Sequence, residues 1–237
     1  MQSDNLYFER NQNESQISDD KELHTLSMNQ GNKVLIYNKW AKTYDKYVEE
    51  EHYYGPQNLV SVIMRHIPSR PDTKVSVLDF GCGTGLVGKE INAAFKKENI
   101  DYNLTGIDIS PGMITESEKL GVYNNLLCKD IVDKDLKLAD VKKITSSKDG
   151  FDLILSCGVF LEGHVSLDAI PSVLLHLLSS SGGILAVTIR DTFLKKSPDF
   201  KSELTQLESD GYKLISLSEI EYLREVKAWL LIVSFNK

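Results

Sequence analysis

The chain has 237 residues, 41% of them apolar, which is enough to bury a substantial core in a single α/β domain. Its 34 acidic and 27 basic residues give a formal net charge of −7, which disfavours binding to nucleic acid. Three widely spaced cysteines without a C-x-x-C pair favour neither a disulfide framework nor a metal site, and no apolar run is long enough to cross a membrane, so we expect a cytoplasmic protein that does not bind a membrane.

The segment before the first strand is predicted to hold a polar tail and two helices. Residues 1–20 are rich in Asn, Gln, Ser and acidic side chains and have too little apolar surface to order themselves, so disorder is predicted. From Lys33 to His66 apolar residues recur every three or four positions, which is typical of helices, and Gly55-Pro56 divides the segment. We therefore assign residues 21–71 to an N-terminal helical segment and residues 72–237 to a core that forms one domain with it.

After residue 71 short β-rich runs alternate with helical segments, which indicates a parallel sheet. The predicted strands lie in KVSVLDF, NLTGIDI, NNLLCKD, FDLILSC and GGILAVTIR. The predicted helices are Leu86–Lys97, Gly112–Lys119, Leu167–Leu178 and Phe200–Ser209. The last two runs, YKLISLS and AWLLIVSF, are joined by a short link and should pair antiparallel, because a parallel crossover needs about a dozen residues or more. The predicted fold is a Rossmann-like, doubly wound, seven-stranded, mostly parallel sheet with an antiparallel last strand.

The stretch VLDFGCGTGLVGKE places glycines in and after the first strand-to-helix turn. In a doubly wound sheet a ligand binds at this turn, and glycine lets the ligand approach the backbone. The pattern is not the dinucleotide fingerprint G-x-G-x-x-G/A, because Leu86 stands where the third small residue belongs, and this weakens the interpretation as a nicotinamide site. The turn also lacks the G-K-S or G-K-T ending of a phosphate-binding loop. A ligand-binding turn of another kind is therefore indicated.

The D-x-G-x-G-x-G pattern over Asp79–Gly85 resembles motif I of the class I S-adenosylmethionine-dependent methyltransferases. In that family the turn glycines cradle the methionyl part of the cofactor, an acid ending the second strand binds the ribose, and an Asp after the third strand binds the adenine amino group. Asp108 in GIDIS and Asp130 in CKDI match the two acids, and the backbone of Ile131 would lie beside the adenine. The resemblance implies S-adenosylmethionine as cofactor and S-adenosylhomocysteine as product.

A second resemblance lies upstream, where YNKWAKTYDKYV is similar to the Y-D-x-x-A-x-x-Y-D segment of many small-molecule methyltransferases. Its Tyr, matched by Tyr44, lies against the cofactor in those enzymes, and the helices of this region cover the active site. From Tyr37 to about Arg190 the chain is most similar to the Williams-Beuren-region methyltransferase-like proteins, through YNKWAKTYD, CGTGLV, GIDISPGM, GVFLEGHV, AIP and GGILAVTIR, and it departs from them at Asn38, where an acid is usual. The implied cofactor site comprises Tyr44, Asp79, Gly81, Cys82, Gly83, Gly85, Asp108, Ile109, Met113, Asp130, Ile131 and Cys157.

Candidate catalytic residues follow the fourth and fifth strands, at the ligand edge of the predicted sheet. Glu162 and His164, in SCGVFLEGHVS, could orient or deprotonate a nucleophile, although either could equally be a solvated loop side chain. Arg190, which ends the fifth strand, could bind a carboxylate of the methyl acceptor or form a surface salt bridge. Tyr53 and Tyr54, between the N-terminal helices, could line a substrate pocket or pack in the core.

The function predicted from these residues and from the resemblance is methyl transfer from S-adenosylmethionine to a nucleophile on a small molecule. Two alternatives are left open, a nicotinamide-dependent oxidoreductase and a non-catalytic cofactor-binding module. Methylation of nucleic acid is disfavoured by the acidic charge and by SCGVF, which stands where an N-P-P-Y motif would follow the fourth strand. The sequence leaves open the methyl acceptor, its nucleophilic atom, the need for a general base and the oligomeric state.

Overall fold

Helices precede the sheet, as the spacing of apolar residues predicts. The computed structural model describes residues 20–29, 31–67, 74–130, 132 and 149–235. Before the first strand the described residues form α1 (Asp20–Met28), α2 (Lys33–Glu50) and α3 (Gly55–Ile63). Helix α1 has no counterpart in the sequence prediction, and it begins at the last residue assigned to the polar tail. Residues 1–19, which make up the rest of that tail, lie outside the described residues.

The remaining described elements alternate between strands and helices. They are β1 (Val75–Phe80), α4 (Leu86–Lys97), β2 (Tyr102–Asp108), α5 (Pro111–Glu118), β3 (Asn125–Cys128), β4 (Leu153–Phe160), a π-helical turn (Ile170–Leu174), α6 (Leu175–Leu177), β5 (Ile184–Arg190), α7 (Asp191–Lys195), α8 (Phe200–Ser209), β6 (Tyr212–Leu223) and β7 (Val226–Phe235). The helix predicted over Leu167–Leu178 is instead the π-helical turn followed by the short α6, with Pro171, which has no N–H to donate, near its start.

The described strands form one seven-stranded sheet in the order β3-β2-β1-β4-β5-β7-β6. Strands β1 to β5 pair in parallel, whereas β7 runs antiparallel to both of its neighbours. The predicted Rossmann-like sheet with an antiparallel last strand is confirmed. Because β1 pairs with both β2 and β4, the chain leaves β1 in opposite directions across the sheet, and this reversal marks the edge where doubly wound folds bind ligands.

Apolar side chains cover both faces of the sheet. In β1 the neighbouring residues Val77 and Leu78 are both fully buried but belong to different core clusters, as the alternation of side chains along a strand requires. The Val77 cluster includes α3 and α4, and the Leu78 cluster includes α6 and α8. Helix α3 is therefore part of the main core, with Leu59 and Ile63 fully buried, and not a separate layer over it. No helix in the described ranges has both the length and the apolar character needed to cross a membrane.

Asn38 joins α2 to the start of α5 beside the ligand edge. Its Oδ1 accepts hydrogen bonds from Ser110 Oγ at 2.8 Å and from Gly112 N at 2.7 Å. Ser110 is the N-cap residue of α5, and its hydroxyl oxygen also accepts from Met113 N at 3.2 Å. The amide oxygen at this position thus makes contacts that a carboxylate could also make, so the departure from the usual acid leaves the junction intact.

We expect Asn38→Ala to lower the free energy of unfolding by about 1–2 kcal/mol, because two partly buried donors lose their acceptor. Asn38→Asp should be as stable as the wild type or more stable, since it retains the acceptor and places a negative charge at a helix N-terminus. Urea unfolding of the three proteins measures both effects. An Asn38→Ala protein with wild-type stability would show that the junction does not depend on this side chain.

Candidate active site

A cavity of about 350 Å³ lies at the carboxyl ends of β1, β2 and β4. This volume falls in the range of small-molecule sites, about 300–1,000 Å³. Its lining comes from the turn after β1, the ends of β2 and β3, the loop after β4, and helices α2 and α3. Most residues of the predicted cofactor site line this cavity: Tyr44, Gly81, Cys82, Gly83, Asp108, Ile109, Met113, Asp130 and Cys157.

The turn after β1 is held against the end of β2 by its own backbone. Gly81 N and Cys82 N both donate to the carbonyl oxygen of Ile107, at 2.8 and 3.0 Å. Gly83 has a φ of +55°, and a Cβ built on it would meet no protein atom within 4 Å. Because Gly83 also lines the cavity, a side chain there would occupy space that the protein leaves open.

Asp108, which ends β2, places a carboxylate on the lining of the cavity. Its Oδ2 accepts from Gly83 N and its Oδ1 from Ser110 N, each at 2.9 Å. Burial raises the pKa of the carboxyl, and these backbone hydrogen bonds oppose the rise. The backbone of Ile109 also interacts with the Asp108 carboxyl. A carboxylate has about four lone-pair sites, so Asp108 keeps acceptor capacity for a ligand hydroxyl group. A hydroxyl group of a ribose is one such donor.

Asp79 and Gly85, both placed in the cofactor site by the sequence, do not line the cavity. Asp79 is fully buried, its Oδ2 accepts a hydrogen bond from the Tyr123 hydroxyl at 2.7 Å, and burial raises the pKa of its carboxyl to about 7. Gly85 is the N-cap residue of α4. The other carboxylate oxygen of Asp79, Oδ1, is buried without a hydrogen-bond partner. A ligand contact by either residue stays a prediction, since neither lines the cavity as described.

The region after β3 contributes a second acid to the cavity. Asp130 lines it together with Lys129, and its Oδ1 accepts from Val132 N at 3.1 Å. The neighbouring wall is apolar at Ile109 and Met113. Ile131, predicted to lie beside the adenine, falls outside the described residues.

Tyrosines from the N-terminal helical segment line the same cavity as the glycine turn. Tyr37, Tyr44 and Tyr53 all line the cavity, whereas Tyr54 is 45% exposed and lies outside the lining. The Tyr53 hydroxyl lies 3.2 Å from Cys157 Sγ. Burial raises the pKa of Cys157 to about 12, so this thiol stays protonated at neutral pH.

Gly158 allows this close approach of Tyr53 to the end of β4. It has a φ of +78°, and a Cβ on it would lie 2.9 Å from the Tyr53 hydroxyl oxygen. The pairing of β4 with β5 also shifts register between Ser156 and Phe160. Such irregularities are frequent beside active sites, where they change the direction of side chains.

His164 is the candidate catalytic residue that the structure brings to this cavity. Its Nδ1 lies 3.1 Å from the carbonyl oxygen of Glu162 and its Nε2 lies 2.7 Å from the Tyr37 hydroxyl. Since a carbonyl can only accept, Nδ1 carries the proton and Nε2 accepts from Tyr37. Burial lowers the pKa of His164 to about 4, so the ring is neutral at physiological pH.

The structure does not bring Glu162 or Arg190 to the larger cavity. Glu162 Oε1 lies 3.2 Å from Lys196 Nζ, so its carboxylate is paired with a cation away from the site. Arg190 lines a smaller neighbouring cavity of about 50 Å³. Of the three predicted catalytic residues, only His164 could therefore contact a ligand in the larger cavity directly.

Sequence reasoning missed two tyrosines that help to form these cavities. Tyr37 opens the YNKWAKTYD segment, and the same match that selected Tyr44 could have found it. Tyr222, on β6, lines the smaller cavity, and its hydroxyl oxygen lies 3.4 Å from that of Tyr53. Tyr53 and Tyr222 are 169 positions apart, so no local pattern in the sequence connects them.

Comparison with known proteins identifies the family. A family model described as a methyltransferase domain matches residues 78–182. Human methyltransferase-like protein 27 is 30% identical over 181 residues, a match that covers 76% of this chain and 67% of that protein. The chain belongs to the class I S-adenosylmethionine-dependent methyltransferases.

Other relatives of the methyltransferase agree in sequence or in fold. Malonyl-(acyl-carrier protein) O-methyltransferase 2 of Ilyobacter polytropus is 26% identical over 207 residues, which cover 77% of this chain and 70% of that one. The crystal structure of plantazolicin methyltransferase BamL with a triazolic substrate analogue and S-adenosylhomocysteine has a TM-score of 0.59 at 17% identity, covering 83% and 90%. Magnesium protoporphyrin IX methyltransferase of Synechocystis with bound S-adenosylmethionine has a TM-score of 0.51 at 16% identity, covering 79% and 83%.

The methyltransferase uses S-adenosylmethionine as its cofactor, and family membership removes the two alternatives that the sequence left open, the oxidoreductase and the non-catalytic module. The cavity suits this cofactor chemically. The space beside Gly83 is free of protein atoms, the Asp108 carboxylate has spare acceptor capacity, and the tyrosine rings could face a sulfonium cation.

We expect Gly83→Ala to weaken S-adenosylhomocysteine binding by about tenfold or more, because its methyl group would enter the cavity. Gly121→Ala is the matched control: Gly121 has a φ of +61°, a Cβ there would also meet no atom within 4 Å, and it does not line the cavity. Both variants therefore introduce similar backbone strain. Calorimetric titration of the two folded variants separates loss of space from strain, and equal affinities would contradict the assignment of this turn.

We expect Asp108→Ala to weaken S-adenosylmethionine and S-adenosylhomocysteine alike, by about 10- to 100-fold, since both contain the ribose and hydrogen bonds to a charged group are lost. Asp101→Ala removes the same charge at the opposite end of β2 and should leave both affinities unchanged. Calorimetry measures the dissociation constants, and circular dichroism checks the fold of each variant. Wild-type affinity in a folded Asp108→Ala protein would exclude a ribose contact.

Proposed function

We propose that this methyltransferase acts on a nucleophile of a small molecule. The observation that carries the proposal is the composition of the cavity, whose lining includes both the glycine turn and three tyrosines, Tyr37, Tyr44 and Tyr53. An acceptor that reaches the cofactor has to fit among these residues. The formal net charge of −7 adds to this argument, because it disfavours a polyanionic substrate.

The proposed arrangement assigns each part of the cofactor to residues of the larger cavity. Gly81 and Gly83 would cradle the methionyl part, Asp108 would accept from the ribose hydroxyls, and Asp130 would bind the adenine amino group. S-adenosylmethionine supplies a methyl group on a sulfonium, which an acceptor attacks in line with the bond that breaks. Alignment and exclusion of water are then the main tasks of the protein.

His164 and Tyr37 are proposed to position the acceptor and not to act as a strong base. The Nε2 atom of His164 is already engaged by the Tyr37 hydroxyl at 2.7 Å, and the pKa of the imidazole is lowered to about 4 by burial. A group with so low a pKa removes a proton poorly at neutral pH. The pair therefore suits a nucleophile that is already deprotonated or that attacks as a neutral lone pair, with the Tyr37 hydroxyl fixing its orientation.

Glu162 has no direct catalytic role in this proposal. Its carboxylate is paired with Lys196, whereas its backbone carbonyl accepts the Nδ1 proton of His164 and so fixes the tautomer. The contribution of this residue to the site is thus made through its main chain.

Incubation of the enzyme with methyl-labelled S-adenosylmethionine tests the proposed function. Three acceptor pools are supplied separately: low-molecular-weight metabolites, total RNA and DNA, and total protein. We expect label in the metabolite pool, with strongly reduced transfer by Gly83→Ala. Label confined to nucleic acid or to protein would contradict a small-molecule acceptor.

Residues 21–71 are proposed to cover the site and to form one domain with the core. Helix α3 supplies fully buried residues to the main core, so removing everything before Asp72 would test folding more than covering. Helix α1 offers a cleaner test. It contributes His24, Ser27 and Met28 to the smaller cavity, whereas the described lining of the larger cavity begins at Lys33.

A chain that starts at Asn32 should bind S-adenosylhomocysteine normally but transfer methyl groups about tenfold more slowly or worse, because the acceptor side loses a wall. A chain that starts at Asp20 should match the full-length protein in both measurements. Calorimetry and transfer to the metabolite pool give the two readouts, and thermal unfolding controls for exposure of the apolar α1–α2 contact. Full-rate transfer by a folded chain from Asn32 would show that α1 is not part of the cover.

A further inference from the structure

Arg190 is a half-buried cation that forms no ion pair within the described residues. It is the last residue of β5, and its Nε is buried without a hydrogen-bond partner. Its Nη1 lies 3.2 Å from Met28 Sδ, which is a weak acceptor. Within the described residues no carboxylate forms an ion pair with it, and the smaller cavity that it lines contains no Asp or Glu.

Three acids that could be expected to neutralise Arg190 interact with other residues. Asp191 accepts from Lys195 Nζ at 2.6 Å and from Trp229 Nε1 at 2.9 Å. Glu162 is paired with Lys196. Glu51 interacts electrostatically with His24 but does not line the smaller cavity.

A second donor in the same cavity also lacks an acceptor. Trp40 is only 2% exposed, and its Nε1 is buried without a hydrogen-bond partner. Buried N–H groups are nearly always paired in native proteins, so two unpaired donors on the lining of one cavity are unusual. The group that would satisfy both is an acceptor with negative charge, since one of the donors belongs to a guanidinium.

The rest of the smaller cavity suits an organic anion more than a hydrated inorganic one. Aromatic side chains dominate its lining, and His24 adds no charge at neutral pH because burial and the nearby Arg190 lower its pKa. The cavity measures about 50 Å³, which leaves room for one small group. The planar guanidinium matches the geometry of a carboxylate, whose two oxygens can accept side by side.

The smaller cavity adjoins the larger one, because the two share part of their lining. Tyr37, Tyr44, Tyr53 and Gly158 line both. A molecule bound at Arg190 would have to pass these residues to reach the glycine turn.

We propose that Arg190 and Trp40 bind a carboxylate of the methyl acceptor as an anchor, so that the substrates of this enzyme are small carboxylic acids with their nucleophile at the other end, in the larger cavity. This inference rests on the proposed small-molecule function. It assigns Arg190 to recognition of the acceptor, as a specificity-determining residue remote from the transferred methyl group.

Ligand pairs that differ only in charge test the anchor. Enzyme saturated with S-adenosylhomocysteine is titrated with benzoate, phenylacetate and 4-hydroxyphenylacetate, and with the three corresponding amides and phenyl phosphate. We expect at least one carboxylate to bind about tenfold or more tightly than its amide, as the loss of charge-assisted hydrogen bonds predicts. No preference for any carboxylate over its amide, or a preference for phenyl phosphate over all carboxylates, overturns the assignment.

Substitutions show which residues produce the preference for a carboxylate over its amide. Arg190→Gln should abolish it, Arg190→Lys should retain part of it, and Trp40→Phe, which keeps the ring but removes the N–H, should reduce it severalfold. Arg65→Gln, at an exposed arginine, is the matched control and should bind as the wild type does. Arg190→Gln should unfold at or near the wild-type temperature, because it removes a half-buried charge that forms no ion pair within the described residues. An undiminished carboxylate preference in folded Arg190→Gln overturns the proposal.

Transfer assays distinguish failure of this inference from failure of the proposed function. If label from S-adenosylmethionine enters small molecules at equal rates with wild type and with Arg190→Gln, the anchor is wrong and the small-molecule function stands. If label enters only macromolecules, the function itself is wrong. Affinity for S-adenosylhomocysteine should be the same in both proteins, since Arg190 does not line the larger cavity.

Discussion

The hydrogen bonds that join the turn after β1 to the end of β2 are the constraint on which the candidate site depends. The carbonyl of Ile107 accepts from Gly81 and Cys82, and the Asp108 carboxylate accepts from Gly83. These bonds fix the turn because β1 and β2 are paired in register up to Phe80 and Ile107. The same carboxylate that closes the turn also lines the cavity, so one side chain is used both for the shape of the cavity and for its charge.

This part of the site could be predicted because its signals are local. The glycine pattern and Asp108 are each read from a few neighbouring residues, and the alternation of strands with helices fixes which ends of the strands meet. The helices Leu86–Lys97 and Phe200–Ser209 have the bounds that apolar spacing predicts. Asp79 shows the limit of a local pattern, because the sequence does not distinguish a carboxylate on the cavity surface from one that is buried against Tyr123.

The part of the site that is proposed to bind the methyl acceptor could not be predicted in the same way, since its contacts join residues that are far apart in the sequence. The Tyr37–His164 and Tyr53–Cys157 contacts span 127 and 104 positions, and the contact between Arg190 and Met28 spans 162. Helix α1 could not be predicted because its sequence is largely polar, and it is stabilised by packing of Leu23 against Ile36 and Trp40. Tertiary packing thus overrides weak local propensity in this helix.

The two cavities differ in their charged residues. The larger is lined by two acids, Asp108 and Asp130, and by two lysines, Lys33 and Lys129, whereas Arg190 is the charged residue of the smaller one and has no acid in the lining beside it. The neutral tyrosines between them belong to both linings and keep the opposite charges apart. A guanidinium paired directly with Asp108 would neutralise both groups and leave neither available to a ligand. A half-buried cation without an ion pair adds little to the stability of the protein alone, and a bound anion would supply the missing partner. The orphaned donors are therefore better explained by a bound acceptor than by the stability of the fold.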